Sequence, residues 1–344
     1  MHYTFIINFA WFFNKKSNKF INNCVFNKIM KIDIKDKKIL ALLDRNARIS
    51  ITQIAKKARL NKDVVRYRIN NLEKSKIITS YYTIISANRL GYAAYRIYFD
   101  FINLNPELEK KLIIYLNKKF KAGQIFTIDG PYQLGIITWE KSIYDLEEKI
   151  QELKKHFGDY INKMHLSIFT KINHYFKKIL PNASKDIITL KKDTYVKVDN
   201  LDKMILKHLS KVSRINYAKL SIALKIPERT LAYRIKQLEK KKVILAYRSN
   251  IDISKLGYEN YFIEIYTGGK QNLNEIENFA HLSKNCIYTD YVIPGADIEL
   301  EMEFQSKQEL LEFIKELKTK FPFIKRIRYW STLDYIKIDY LPSY

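Results

Sequence analysis

The stretch Asn61–Glu73, NKDVVRYRINNLE, sets the reading of the whole chain. Val65, Ile69 and Leu72 recur at i, i+4 and i+7, which places them on one face of an α-helix. The opposite face is polar and basic, with Lys62, Arg66 and Asn70. The same element returns 166 positions later as Pro227–Glu239, PERTLAYRIKQLE. There Leu231, Ile235 and Leu238 form the apolar stripe, Arg229, Tyr233 and Lys236 the wet face, and Arg234 and Glu239 stand where Arg68 and Glu73 stand in the first copy. Both are read as recognition helices of helix-turn-helix units.

The residues before each helix support that reading. Asp36–Asp44 (DKKILALLD) has helical apolar spacing through Ile39, Leu40 and Leu43. Ser50-Ile51-Thr52-Gln53 is a capping box, in which Ser50 accepts from the Gln53 amide and Gln53 reaches back. A short turn through Arg59-Leu60 leads to Asn61, a good N-cap for the third helix. Helix, helix, tight turn, helix places the third helix in the major groove of DNA. Ile77–Ile85 then reads as a wing or a strand leaving the domain, and Leu90-Gly91-Tyr92 closes it.

A different pattern follows. Strand Ala94–Asn103, helix Pro106–Phe120, strands Gln124–Asp129 and Gln133–Glu140, helix Ser142–Phe157 and strand Lys163–Phe176 give the order βαββαβ. That order predicts a ferredoxin-like antiparallel sheet with two helices on one face, whose bare face needs a partner. From Asp36 to Tyr92 the repeat runs without a gap into the second half, where Leu256-Gly257-Tyr258 matches Leu90-Gly91-Tyr92 and a second βαββαβ follows. The expected fold is therefore α+β, in two tandem units. The boundaries are an extension at 1–29, helix-turn-helix units at 31–90 and 198–256, βαββαβ domains at 91–176 and 257–341, and a linker at 177–197.

The chain has 344 residues and a formal charge of +25, from 61 Lys and Arg against 36 Asp and Glu. Such a field favours a polyanionic partner, above all nucleic acid. A chain rich in Lys, Ile, Asn, Tyr and Phe also acquires this charge from AT-rich codons, so charge alone decides little. Cys24 and Cys286 lie far apart without ligand spacing, and six histidines are scattered. No metal site, cofactor or phosphate-binding glycine loop is expected, and the setting is expected to be reducing and cytoplasmic. The apolar run His2–Phe13 is well short of the roughly 20 residues that cross a bilayer, and it lacks the flanks of a signal peptide. Met30 is the expected natural start, with a membrane or partner-docking arm as the alternative for the residues before it.

The string Asp36…Ile39-Leu40…Arg48-Ile49-Ser50…Arg68-Ile69…Leu72-Glu73, followed by a hydrophobic strand and Leu-Gly-Tyr, resembles the Lrp/AsnC family of archaeal and bacterial transcription regulators. The resemblance covers most of 31–176 and, more weakly, 197–341. It implies a winged helix-turn-helix followed by a sensing domain that pairs through its sheet. It also implies a small effector, often an amino acid, bound near the turn between the central strands. The matching positions are Gly130, Tyr132 and Gln133 in the first turn and Gly295 and Asp297 in the second. Three departures stand out. Lys76 and Lys242 replace a glycine usual in the family, the second turn is one residue shorter, and Pro227-Glu228 opens the second recognition helix without a capping side chain. The second unit is thus the expected weaker reader of DNA.

The residues expected at double-stranded DNA are Thr52, Gln53, Asn61, Lys62, Arg66, Arg68 and Asn70 in the first unit, and Arg229, Tyr233, Arg234 and Lys236 in the second. For Arg68 and Arg234, beside the apolar stripe, an acidic partner or a phosphate is favoured over a base. Helix capping explains Thr52 and Gln53 equally well. The expected activity is DNA-binding transcription regulation, without enzymatic chemistry, by a homo-oligomer or a pseudo-dimer formed within the chain. Two alternatives remain: an enzyme resembling siroheme decarboxylases, which would need histidines and arginines around a tetrapyrrole, and a DNA-compacting protein without sequence preference.

Overall fold

The computed structural model describes residues 29–269 and 272–343. The run His2–Phe13 and Cys24 lie outside the described residues. The first head is built from α1 (Ile34–Arg45), α2 (Ile51–Ala58) and α3 (Lys62–Lys74). Each start is capped by the residue its sequence offers: Asp33 with Asp36 in a capping box, Ser50 with Gln53 in another, and Asn61 accepting from the Asp63 amide at 2.9 Å. Ile39, Leu40, Leu43, Ile54, Val65, Ile69 and Leu72 all point into one core. Each such aliphatic side chain contributes about 1.5–3 kcal/mol on burial.

Strand β1 (Ile78–Ile85) leaves the head and leads to the first sensing domain. That domain contains β2 (Ala93–Phe101), α4 (Pro106–Lys118), β3 (Gln124–Asp129), β4 (Leu134–Glu140), α5 (Ile143–Phe157) and β5 (Ile161–His174). Alternation decides its layers. Tyr95, Ile97 and Phe99 turn toward the helices and pack with Leu112, Leu116, Leu146 and Leu153, whereas Arg96 and Tyr98 turn the other way. The segment expected as a plain linker contains a short strand, β6 (Ile188–Lys191), paired with the end of β5. Its apolar Leu190 is buried against the central core, which draws this part of the connection into the sheet.

The second unit repeats the plan. Its head is α6 (Asn200–Lys211), α7 (Tyr217–Leu224) and α8 (Glu228–Lys240), followed by β7 (Ile244–Ile251). Its sensing domain is β8 (Glu259–Tyr266), α9 (Leu273–Leu282), β9 (Cys286–Ile293), β10 (Ile298–Phe304), α10 (Lys307–Lys320) and β11 (Arg326–Ile338). Lys76 and Lys242, where the family has glycine, both adopt left-handed backbone with φ of 60° and 56°. A glycine at that place is explained by the geometry, since a Cβ there costs about 1 kcal/mol or more.

The two units pair within the chain. Strand β1 runs antiparallel to β7, so neither serves as a wing hairpin, and α1 packs on β7 while α6 packs on β1. The sensing strands close into a ring of eight in the order β2-β4-β3-β11-β8-β10-β9-β5, with β5 returning to β2. The last strand of each unit bridges the halves: β5 pairs with its own β2 and with β9, and β11 with its own β8 and with β3. The bare sheet faces therefore meet each other inside one chain.

Candidate nucleic-acid interface

Helix α3 exposes Lys62, Asp63, Val64, Arg66, Tyr67, Asn70 and Asn71 and buries Val65, Ile69 and Leu72. Helix α8 exposes Arg229, Tyr233 and Lys236 and buries Leu231, Ile235 and Leu238. Each recognition helix is held from below by the same two ties. Arg68 bridges Asp33 and Asp36, each at 2.9 Å, and Arg234 bridges Asp199 and Asp202. The Tyr81 hydroxyl donates to Glu73 at 2.6 Å, and Tyr247 to Glu239 at 2.7 Å. The hydrogen bonds that Arg68 donates to Asp36 and Asp33 raise its pKa, so its charge is spent on the first turn of α1. Of the two partners considered for Arg68 and Arg234, the structure supplies acidic ones. Thr52 and Gln53 sit exposed at the start of α2, where Gln53 completes the capping box; Asn61 caps α3. Pro227 provides no side-chain cap for α8. Tyr67, 67% exposed and matched by Tyr233 at 61%, escaped the sequence reading although the offset of 166 links the two.

The heads touch across a local two-fold. The Arg48 guanidinium donates to the carbonyls of Ser213 and, at 3.3 Å, Ile215; Arg214 does the same to Ala47 and, at 3.4 Å, Ile49. Arg48 lies over the Tyr247 ring at 5.4 Å and Arg214 over Tyr81 at 5.2 Å. Ala47 donates its amide to Tyr247 and Ser213 to Tyr81, at 2.8 and 3.2 Å. Each of these contacts has its mate 166 residues away, whereas Arg48 also lies over the Tyr217 ring at 4.6 Å, where the other head has Ile51. The paired contacts present α3 and α8 in inverted orientation.

The two halves differ where head meets sheet. In one, Arg248 on β7 donates to Asp44 of α1, with Nε at 3.1 Å, while the Lys177 amide donates to the other Asp44 oxygen at 2.9 Å and the Lys177 ammonium pairs with Glu303. All four side chains are nearly or wholly buried. The equivalent positions in the other half are Ser210, Tyr82, Tyr340 and Trp139. There Tyr82 stacks on Tyr340 at 5.6 Å and Trp139 lies 6.0 Å from Tyr340. One junction is ionic and the other aromatic.

Between the sheets runs a cleft of about 1970 Å³. Arg96, 1% exposed, crosses it to Glu299 at 2.7 Å and lies over the rings of Tyr98, Phe169 and Phe262. Burial and the neighbouring Glu299 push the Asp290 carboxyl well above its usual range, and burial with Arg248 nearby pushes His174 well below its own. Gly130, Tyr132 and Gln133 line this cleft; Gly295 and Asp297 do not. Gln133 accepts from the Phe101 amide at 2.7 Å and donates to Asp100, and Asp297 accepts from the Thr267 amide at 2.6 Å and from Gly268. These side chains are engaged in holding their own turns, and Tyr132 stacks on Tyr98 at 5.1 Å. Among the described residues, no cluster of His, Cys, Asp and Glu could hold a metal ion, and no helix is long and apolar enough to cross a membrane.

Comparison with known proteins agrees with this geometry. The winged helix-turn-helix DNA-binding family matches residues 32–79 and again 198–244. An uncharacterized HTH-type transcriptional regulator of Pyrococcus furiosus is 32% identical over 125 residues, 36% of this chain and 82% of that protein. The chain belongs to the Lrp/AsnC family of transcription regulators. The HTH-type transcriptional regulator LrpA of Pyrococcus horikoshii is 29% identical over 119 residues, 35% of this chain and 83% of its own length. Each relative thus corresponds to little more than a third of a chain that holds the plan twice. Among solved structures, the siroheme decarboxylase NirDL superposes with a TM-score of 0.60 at 11% identity, covering 89% of this chain and 93% of that one. That likeness is one of fold alone.

Proposed function

We propose that this Lrp/AsnC regulator acts on promoter DNA as an internal dimer, one chain supplying both heads, and that it carries no enzymatic activity. The observation that supports this best is the reciprocal Arg48 and Arg214 contact, which sets two exposed recognition helices in inverted orientation. In this reading Lys62, Arg66 and Asn70 on α3 and Arg229, Tyr233 and Lys236 on α8 meet base edges and phosphates. Thr52 and Gln53 meet phosphate at the start of α2. Asn61, Arg68 and Arg234 act from behind, as cap and struts. A small effector such as an amino acid acts at the sensing turns of Gly130, Tyr132 and Gln133 and of Gly295 and Asp297, and the protein works in the cytoplasm.

The test is binding of the chain to its own upstream DNA and to a scrambled duplex at about 50 and 200 mM salt. A preference of a hundredfold or more that survives the higher salt establishes sequence-specific regulation. Equal and salt-sensitive binding to both duplexes refutes it in favour of DNA compaction.

The fold shared with NirDL gives the decarboxylase reading its one support. The fold does bring Arg96, Arg248, His174 and Lys177 to one cleft, though they are scattered in sequence. Yet the same interior holds Asp44, Glu264, Asp290, Glu299, Glu301 and Glu303, and each of the cations Arg96, Arg248 and Lys177 is already bound to one of them. A polycarboxylate macrocycle would have to displace those carboxyl groups before it could pair with a cation there. Titration with an iron uroporphyrin, followed by its visible absorbance, is expected to show no saturable binding. Stoichiometric binding would overturn this argument.

A further inference from the structure

We infer that the DNA site of this chain is not a palindrome: its two half-sites are inverted in geometry and unlike in sequence. The inference rests on the DNA reading proposed above and goes beyond it. In a regulator built from two copies of one chain the two recognition helices are identical by construction. Here they are free to differ, and where they differ is not random. The positions that hold each helix in place are kept. Arg68 and Arg234 bind the first helix of their own head, Glu73 and Glu239 accept from Tyr81 and Tyr247, and Ile69, Leu72, Ile235 and Leu238 fill the cores. The positions that face outward are not kept. Lys62, Asp63, Val64, Arg66, Asn70 and Asn71 become Glu228, Arg229, Thr230, Ala232, Lys236 and Gln237. Of the exposed positions of α3, only Tyr67 and Lys74 recur, as Tyr233 and Lys240.

The chemistry of the changes matters more than their number. At two successive positions the charge reverses: Lys62 faces Glu228 in the alignment, and Asp63 faces Arg229. A carboxylate accepts from the amino group of cytosine, whereas a guanidinium donates to the two acceptors of guanine, so one position cannot read the same base in both heads. Arg66 is drawn back to Asp63 at 2.9 Å, and Ala232 stands at its place in α8. Basic contacts therefore begin at the first residue of α3 but one residue further on in α8. Meanwhile the Arg48 and Arg214 contacts keep the heads related by a two-fold, which calls for inverted half-sites. In two-headed helix-turn-helix proteins these lie about one helical turn, or a multiple of it, apart.

The test uses the whole chain to select duplexes from a pool with a randomised centre of about 30 base pairs, wide enough for two half-sites. The expected motif has two unlike halves. Doubling either half into a palindrome then weakens binding about tenfold or more. A second selection uses the variant Lys62→Glu, Asp63→Arg, Val64→Thr, Arg66→Ala, Asn70→Lys, Asn71→Gln, which changes exposed side chains only and gives α3 the face of α8. Its motif is expected to become a palindrome of the second half-site. A palindromic motif from the natural chain overturns the inference and leaves the DNA reading standing. A variant that still selects the natural motif overturns it as well. If no motif is enriched, sequence reading of DNA itself fails, and this inference fails with it.

Discussion

The ionic junction between the first head and the sheets offers the sharpest energetic test. Asp44 and Arg248 are 2% and 5% exposed, and Asp44 takes three hydrogen bonds, two from the guanidinium and one from the Lys177 amide. Asp44→Asn keeps the shape of the side chain but removes its charge and one of its best acceptors. Arg248 is then left buried without its counter-charge, against neutral partners such as the Tyr175 carbonyl at 3.3 Å and the face of the Phe176 ring. Losing one partner of such a pair costs about 3–5 kcal/mol. With a urea m-value of about 3 kcal/mol per molar, the midpoint falls by about 1–1.7 M. Removing the second charge as well, in Asp44→Asn with Arg248→Met, relieves the penalty and recovers most of the loss. Urea unfolding followed by far-ultraviolet circular dichroism on the two single variants and the double closes the cycle. A single variant that costs less than about 1 kcal/mol would show that water reaches the pair, and so would losses that simply add.

Four further outcomes are expected. Arg68→Ala lowers the melting temperature by removing the bridge to Asp33 and Asp36, whereas Arg66→Ala leaves melting unchanged within about 1 °C and weakens DNA binding about tenfold. Thermal melts and fluorescence anisotropy on both variants separate the two roles. Lys76→Gly and Lys242→Gly each relieve left-handed strain and stabilise the chain by about 0.5–1 kcal/mol, and a fall in urea midpoint would contradict this. His174 is buried neutral with its pKa depressed by burial, so its contribution is intact above the unfolded value near 6.5 and is lost as pH falls below it. Between pH 7.5 and 5.5 the natural chain should therefore lose up to about 1.4 kcal/mol more than His174→Phe, and equal losses would dismiss the buried histidine as the cause. Arg48→Ala with Arg214→Ala removes the reciprocal side-chain ties between the heads and loosens their mutual orientation. Affinity for a full site should drop about tenfold while that for an isolated half-site holds, and a parallel loss on both would mean the arginines touch DNA themselves.

The heads were legible in the sequence because each is local. Period-3.6 apolar spacing, Ser50 with Gln53, and Asn61 act within one or two turns, and the 166-residue repeat states the apolar spacing twice. The interior was not legible. In Ile298–Phe304, IELEMEF, the alternation gives the helix-facing side correctly as Ile298, Leu300, Met302 and Phe304. The same alternation implies solvent for Glu299, Glu301 and Glu303, which instead are 1%, 7% and 1% exposed. The opposite sheet covers them, and that sheet arrives through β5 and β11, whose cross-unit pairings are far apart along the chain. Arg96 was hidden for the same reason: its partner Glu299 is 203 residues away. Gln133 and Asp297 were singled out by position in a turn, and position says nothing of the amides of Phe101, Thr267 and Gly268 that occupy them.

The closed ring of eight strands has a consequence for how such a regulator is dosed. A regulator assembled from separate chains falls apart on dilution, so its two-headed form exists only above its dissociation constant. Here β5 and β11 interlock the halves, and the connection from Tyr175 to Lys197 never lets them separate. The second head is present at the first one's side whatever the abundance of the protein, at an effective concentration set by geometry rather than expression. Under the proposed action on promoter DNA, occupancy rises with the first power of copy number, without the threshold that assembly imposes.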